Sequence, residues 1–487
     1  MNTIPDPDPD AEPVITVGRM RLTAAIVAIA LFMQNIDSTV IATALPAMAH
    51  SFHAQPLHMS VTLTSYLISL AVFIPASGWV ADHFGARLIF RAAIIVFTIG
   101  SVLCGLAPNL GTMVAARIVQ GLGGAMMLPV GRLLLLRSVS RAQMVAAMSW
   151  LTMPALIGPI LGPPLGGFIV TYTSWRWVFG INLPIGIIGV IAVSLFIAES
   201  RDPERGGLLD WRGLLLTGFA MAAFMAGFET IGRGLVPLSW TITALAIGLA
   251  CALIYLRHAA RHPHPILDLS LLRIATFTNS VVAGSLFRIA VGAMPFLLPL
   301  MLQLGFGDSP LKSGLTTFVS AVGALAMKPA AQPLLRRFGF RAVLTVNGIF
   351  AAGSIAICAA FQPTWPLLLL DSVLLLSGFF RSLQFTAFNT IAYGDIPRAR
   401  MSAATTLYAT IQQLTLTLGI VIGAAILEIS ARAHHHATAT RSDYALAFLI
   451  VGAVAALAVP YSLRLRPDAG EALSGHHVKE PPRPAAP

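Results

Sequence analysis

Gly158-Pro159-Ile160-Leu161-Gly162-Pro163-Pro164-Leu165-Gly166-Gly167 lies inside an apolar run long enough to cross a bilayer, yet it is dense in residues that weaken helices. Glycine adds backbone freedom, and proline removes a donor and kinks the chain. In lipid such a segment persists only where neighbouring helices cover the freed backbone groups. Its glycines let another helix approach closely. A bent, close-packed helix of this kind suits a protein that rocks between two shapes.

Composition widens that reading to the whole chain. Of 487 residues, 56% are hydrophobic and only 10% charged, against roughly 25% charged in soluble domains. Apolar runs of about 20 residues recur throughout, the mark of an all-α polytopic membrane protein. The net charge of +11 comes without a basic stripe interleaved with aromatics, which speaks against nucleic acid as a partner. Cys104, Cys251 and Cys358 fall in apolar runs and read as packing residues. The acidic, Pro-rich start lacks the basic opening and cleavage site of a signal peptide, and it reads as a disordered cytoplasmic tail, as does the C-terminal stretch.

The apolar runs predict fourteen helices, at 22–46, 60–81, 88–107, 110–136, 144–171, 176–198, 210–231, 239–257, 276–304, 311–334, 341–361, 365–393, 402–429 and 444–463. An even number puts both termini on one side. With the termini inside, 22 of the 31 Lys and Arg are cytoplasmic and five face out: Arg176, Arg233, Lys312, Arg432 and Arg441. That asymmetry places both ends in the cytoplasm. The remaining four, Arg117, Arg288, Lys328 and Arg381, lie within spans.

An internal repeat divides the spans. His83-Phe84-Gly85-Ala86-Arg87 follows the second, and Arg337-Phe338-Gly339-Phe340-Arg341 follows the tenth. Repeated helix bundles are typical of secondary transporters. The expected layout is a tail (1–18), a six-helix bundle (19–200), two inserted helices (201–260), a second six-helix bundle (261–465) and a tail (466–487).

These stretches resemble the major facilitator superfamily, in its 14-helix drug:proton antiporter branch (the EmrB/QacA type), over nearly the whole chain. Gly158, Gly162, Pro163, Gly166 and Gly167 fit the branch's antiporter motif, Gly-x-x-x-Gly-Pro-x-x-Gly-Gly. Gly78, Asp82, Gly85 and Arg87 fit the superfamily signature Gly-x-x-x-Asp-Arg-x-Gly-Arg-Arg, with His83 and Ala86 departing from its basic positions. Ile36-Asp37-Ser38-Thr39-Val40 through Pro46 is similar to the branch's first span, with Ala42 where Asn is usual. Arg117-Ile118-Val119-Gln120-Gly121 matches its fourth, and Trp175 to Phe179 with Asn182 and Pro184 its sixth. The resemblance implies a major facilitator fold, an inner-membrane exporter alternating between two faces, and a cytoplasmic gate at Asp82 and Arg87. It also admits a periplasmic adaptor as a partner.

The residues themselves suggest chemistry. An ionisable group deep in a bilayer costs several kcal/mol and is functional by default. Asp37 lies about 14 Å below Pro46, and Arg117 about 10 Å below Leu110, so the two can pair. A buried carboxyl beside a cation switches its protonation with small movements, which nominates Asp37 as proton carrier; a permanent salt bridge is the alternative. Arg288, Lys328 and Arg381 form an excess of buried cations in the second half, facing few acids (Asp371, Glu428). They point to an anionic metabolite, organic acid or metal chelate such as a siderophore, or else to internal pairing, for example Asp371 with Arg381. Gln34, Gln120 and Gln384 join them as candidate cavity residues; Gln303, Asn389, Gln412 and Gln413 are further polar groups in spans.

No nucleotide loop, nucleophile elbow or metal-ligand spacing stands out, so no enzyme, cofactor or metal is expected. His434-His435-His436 lies in an outer loop, where adjacent histidines seldom close a coordination shell. The expected function is proton-coupled efflux of small molecules, multidrug resistance being the first form and a dedicated anion exporter the alternative. Uptake on the same fold is the less favoured third.

Overall fold

The structure, a computed structural model, describes residues 17–137, 157–158, 161–197, 210–230, 237–263, 265–397, 400–434 and 438–474. Among these, twelve helices are long and apolar enough to cross a membrane. In chain order the helices are α1 (Arg21–Thr43), α2 (Pro56–Ala81), α3 (Ala86–Leu106), α4 (Leu110–Leu135), α5 (161–172), α6 (Trp177–Phe196), α7 (Trp211–Phe228), α8 (Leu238–Ala259), α9 (Ala275–Gly305), α10 (Pro310–Ala326), α11 (Lys328–Ala360), α12 (Leu367–Ile391), α13 (Ala403–Ala433) and α14 (Arg441–Leu463). Side chains such as Leu106, Leu195, Leu238 and Leu368 stand more than two-thirds exposed on the outer surface, where only lipid would cover them.

Two expected spans differ from that list of twelve. Much of the fifth, and most of both proposed tails, fall outside the described residues; 466–474 are described and end in a helical turn at Glu471–Ser474. The tenth is cut short: α10 has 17 residues, and α11 begins at Lys328, just ahead of Pro329. Proline cannot donate the hydrogen bond that would carry the helix on, so the expected 311–334 run is shared between α10 and the start of α11.

That interruption has a twin. In α2, Pro75 sits in a short 3-10 turn (Ile74–Ala76) between two α-helical pieces. Ten residues after each proline the chain turns at a glycine with positive φ, Gly85 (φ 97°, ψ 129°) and Gly339 (φ 74°, ψ 165°). Other residues adopt such angles only under strain. The short sequence repeat at Phe84-Gly85 and Phe338-Gly339 therefore marks the same proline break and glycine turn in both halves.

The pair expected as an insert, α7 and α8, packs mainly on itself, with Gly248 against Phe224 and Gly227 against Leu245. Its α7 also rests against α2.

Candidate functional site

Pro46 shapes the helix that carries the site. Just before it, α1 tightens from α-helix into a 3-10 turn at Ile41–Thr43. The Thr43 carbonyl near this turn accepts a hydrogen bond from Gln303 Nε2 of α9 at 3.2 Å. Gln303 also donates to Ser313 Oγ of α10 at 3.4 Å, so it joins helices from both halves.

Two turns below Pro46, Asp37 is fully buried in a polar cluster. Arg117 of α4 donates to Asp37 Oδ2 at 2.7 Å. Gln120 Nε2 and Asn182 Nδ2 each donate to Asp37 Oδ1 at 2.8 Å. The cluster is held from behind: Arg117 Nε donates to the Thr62 carbonyl at 2.9 Å, Arg117 to Gln120 Oε1 at 2.6 Å, and Asn182 to Ser101 Oγ at 2.9 Å. The guanidinium lies 4.3 Å from the Tyr66 ring centre, a cation–π contact. A buried carboxylate needs such donors, since a charge in low dielectric is otherwise very costly. Asn182, Ser101 and Thr62 were absent from the sequence-based set, although Asn182 stands in the resembled sixth-span stretch.

The glycines expected to form the antiporter motif pack on this same helix. A Cβ at Gly158 would meet Asn35 Cβ at 2.8 Å, one at Gly162 the Thr39 hydroxyl at 2.0 Å, and one at Gly166 the Val40 carbonyl at 2.4 Å. Residues four apart share a helix face, so Gly162 and Gly166 of α5 form a flat strip against α1 from Thr39 to Thr43, and Gly158 sits against Asn35 and Ile36. Gly167 points elsewhere: its Cβ would meet the Pro310 carbonyl of α10 at 2.5 Å. Gly314 returns the contact against the Pro163 carbonyl at 2.3 Å, and Leu311 N–H donates to Thr171 Oγ1 at 3.1 Å. Thus α5 is clasped between α1 of one half and α10 of the other.

A cavity of about 440 Å³ opens beside this clasp, between α1, α5, α9, α10, α11 and α12. Thr39, Thr43 and Pro163 line one side; Met294, Pro295, Phe385 and Ser382 line the other. Lys328 and Arg381 also line it, and no Asp or Glu is among the described residues that do. Lys328 Nζ donates to Thr386 Oγ1 at 3.1 Å, and Arg381 bonds the Ser377 carbonyl at 3.3 Å and the Ser320 hydroxyl. Asp371 and Arg381 do not pair: ten residues along one helix separates them by about 15 Å.

The other candidate cavity residues sit away from this space. Gln120 belongs to the Asp37 cluster. Gln384 is buried behind the wall, accepting from Asn347 at 2.9 Å and donating to the Leu344 carbonyl at 2.9 Å. Gln34, on α1, does not line it either. Arg288 is 1% exposed, hydrogen-bonded to the Tyr408 hydroxyl and to Asn389 Oδ1 at 3.2 Å. Phe385, which lines the cavity where Arg288 does not, has its ring centre 5.7 Å from the guanidinium carbon.

At the signature loop, Arg87 donates to the Ser194 carbonyl of α6, within its own half. The Asp82 side chain, like His435 and His436, lies outside what the structure describes. A Cβ on Gly78 would meet nothing within 4 Å.

Comparison with known proteins agrees with this architecture. A family model described as the Major Facilitator Superfamily matches residues 27–420 and 280–486. MdtD of Salmonella heidelberg (strain SL476), which carries a provisional multidrug resistance name, is 40% identical over 412 residues, covering 84% of this chain and 87% of its own. Among solved structures, an auto-inhibited POT family peptide transporter superposes with a TM-score of 0.68 at 14% identity, covering 91% of this chain and 97% of that one. A D-xylose-proton symporter gives 0.65 at 15% identity, covering 92% and 98%. At such identities these two speak for the fold alone. The chain belongs to the Major Facilitator Superfamily.

Proposed function

We propose that this protein is a proton-coupled exporter of small molecules in the inner membrane, with both termini cytoplasmic, working by alternating access. The observation that carries the reading is the place of Asp37. Its carboxylate is fully buried and held by Arg117, Gln120 and Asn182, on the same helix that presents Thr39 and Thr43 to the cavity. Taking up a proton would cancel the ion pair while Arg117 keeps its bonds to Thr62 and Gln120. Giving the proton up would restore the pair. Because α5 lies against Thr39 to Thr43 and Gly158 against Asn35 and Ile36, rocking of the two halves would change the packing around Asp37 and so its hold on the proton. Each charge crossing with the field gains ~2.3 kcal/mol per 100 mV. The multidrug name of the 40%-identical relative supports efflux, and the skew of Lys and Arg supports the orientation.

A second feature narrows the substrate. Lys328 and Arg381 face the cavity with no carboxylate beside them among the described lining residues, which favours an anionic substrate, a carboxylate or a metal–carboxylate chelate, over a lipophilic cation.

The test is substrate-induced proton release from energised inside-out vesicles, for wild type and Asp37→Asn, with a lipophilic-cation panel and a carboxylate and chelate panel. A signal from the anion panel, absent in Asp37→Asn, is expected. Undiminished proton release by Asp37→Asn would overturn the coupling role. A signal from cations alone would leave the exporter standing and remove the anion reading.

A further inference from the structure

The inserted helices carry a cluster that the transport reading does not use. Asp210, immediately before α7, lies 2.6 Å from His258 Nε2 near the end of α8. His262 follows one turn after His258, and their ring centres are 5.1 Å apart. One ligand atom from each of Asp210, His258 and His262 can be chosen so that all three lie within 4.8 Å of one another. Asp210 is 6% exposed, while both histidines are half-buried and reachable from solvent.

We propose that Asp210, His258 and His262 form a binding site for a divalent transition metal, zinc being the best match, which staples the start of α7 to the end of α8 beside the strap (residues 265–274) that leads into α9. Two imidazoles and one carboxylate are a borderline-soft set suited to Zn²⁺, leaving a fourth position for water. Bonds of about 2.0–2.1 Å in a tetrahedral shell set neighbouring ligand atoms roughly 3.3 Å apart. The three groups therefore need shifts of only about an ångström, with the close Asp210–His258 contact opening to admit the ion.

The carboxylate is already aimed. Gly213 N–H donates to Oδ1 at 2.8 Å and Ile266 N–H to Oδ2 at 3.2 Å. Outer-shell bonds of this sort fix ligand orientation in metal sites. The strap itself is pinned nearby, because Tyr255 Oη donates to the Leu267 carbonyl at 2.8 Å and accepts from Leu267 N–H at 2.9 Å. An ion here would hold α7, α8 and the strap together at one end of the insert. The rival reading is an ordinary Asp–His hydrogen bond with a second histidine beside it.

The experiment uses tag-free, full-length protein in detergent. Wild type should retain about one Zn²⁺ per chain after desalting, and Co²⁺ should give the strong visible absorption of a four-coordinate site. His262→Ala leaves the Asp210–His258 contact intact and should still fold, eluting as a single species. It should weaken Zn²⁺ binding by more than the ~10–100-fold that a lost outer-shell contact causes. His258→Ala should abolish the cobalt spectrum, whereas replacing His434, His435 and His436 together should leave it unchanged. Equal zinc retention by wild type and His262→Ala, or a cobalt spectrum lost only with the His434–His436 run, would overturn the site.

Discussion

Gly162 lies so close to Thr39 that a single added methyl carbon would come within 2.0 Å of the Thr39 hydroxyl. The hydroxyl is itself committed to the Asn35 and Ile36 carbonyls, at 3.0 and 3.1 Å, so it cannot swing aside freely. Gly162→Ala should push α5 off α1. Overpacking of this kind costs about 1–3 kcal/mol. We expect a lower thermal midpoint and transport reduced at least tenfold, while Gly78→Ala, which adds its methyl to open space, leaves the midpoint unchanged. Scanning both variants by detergent thermal shift and vesicle efflux checks this.

The Asp37–Arg117 pair separates stability from coupling. Asp37→Asn leaves the Arg117 guanidinium buried without its counter-ion, a loss of about 3–5 kcal/mol when one partner of a buried pair is removed. Removing both charges in Asp37→Asn with Arg117→Met should recover much of that stability. Proton-driven efflux should stay absent in the double variant. Denaturation midpoints and proton release, measured on the same preparations, distinguish the two outcomes; efflux restored along with stability would mean the pair is structural.

Arg381→Ala and Lys328→Ala should each weaken binding of a carboxylate substrate by about 10–100-fold, the scale of a charge-assisted hydrogen bond at ~1.5–3 kcal/mol. Gln384→Ala touches no cavity surface and should instead lower the unfolding free energy by about 1–3 kcal/mol, because one N–H of Asn347 loses its acceptor while the other keeps the Phe380 carbonyl. Tryptophan quenching or calorimetric titration with the wild-type substrate gives the comparison.

A pH effect is expected at the strap. Burial alone would raise the Asp268 carboxyl, but hydrogen bonds from Ser270 and Arg400 outweigh it and hold the carboxyl below its usual range. The Arg400 contact is 2.6 Å and ties the strap to the residues just before α13. With a lowered native value, the ionised form stabilises the fold above the unfolded carboxyl pKa near 4, and this contribution fades as pH falls through the native value. Asp268→Asn should lower the thermal midpoint at pH 7 and converge with wild type in strong acid.

The membrane class and the long helices were legible because apolar runs of span length are rare in soluble chains. Asp37 and Arg117 stood out for the same reason, as isolated charges in apolar runs. Asn182, Ser101 and Thr62 did not, since small polar residues are common in spans and only packing reveals which face a carboxylate. Polarity alone also could not orient Arg288, Gln120 and Gln384. Which way a side chain points depends on the helix's rotation against its neighbours, and these three turn into helix contacts rather than the cavity. The inserted cluster was hidden by distance along the chain, because His258 and Asp210 meet only when α7 and α8 pair. The short α10 follows from Pro329, a local backbone constraint that hydropathy does not register.

Asp37 and Thr39 are two residues apart on α1, a turn of about 200°, so they look in nearly opposite directions. One addresses the buried cluster and the other the cavity. Cargo and proton would then never need to touch. They would negotiate through the attitude of one shared rod, and thermodynamic reciprocity would apply: whatever factor protonation of Asp37 takes from cargo affinity, cargo must take from proton affinity in return. Such a rod would pass only its tilt to the far side, so the proton site would not need to recognise the anion that sits against Thr39.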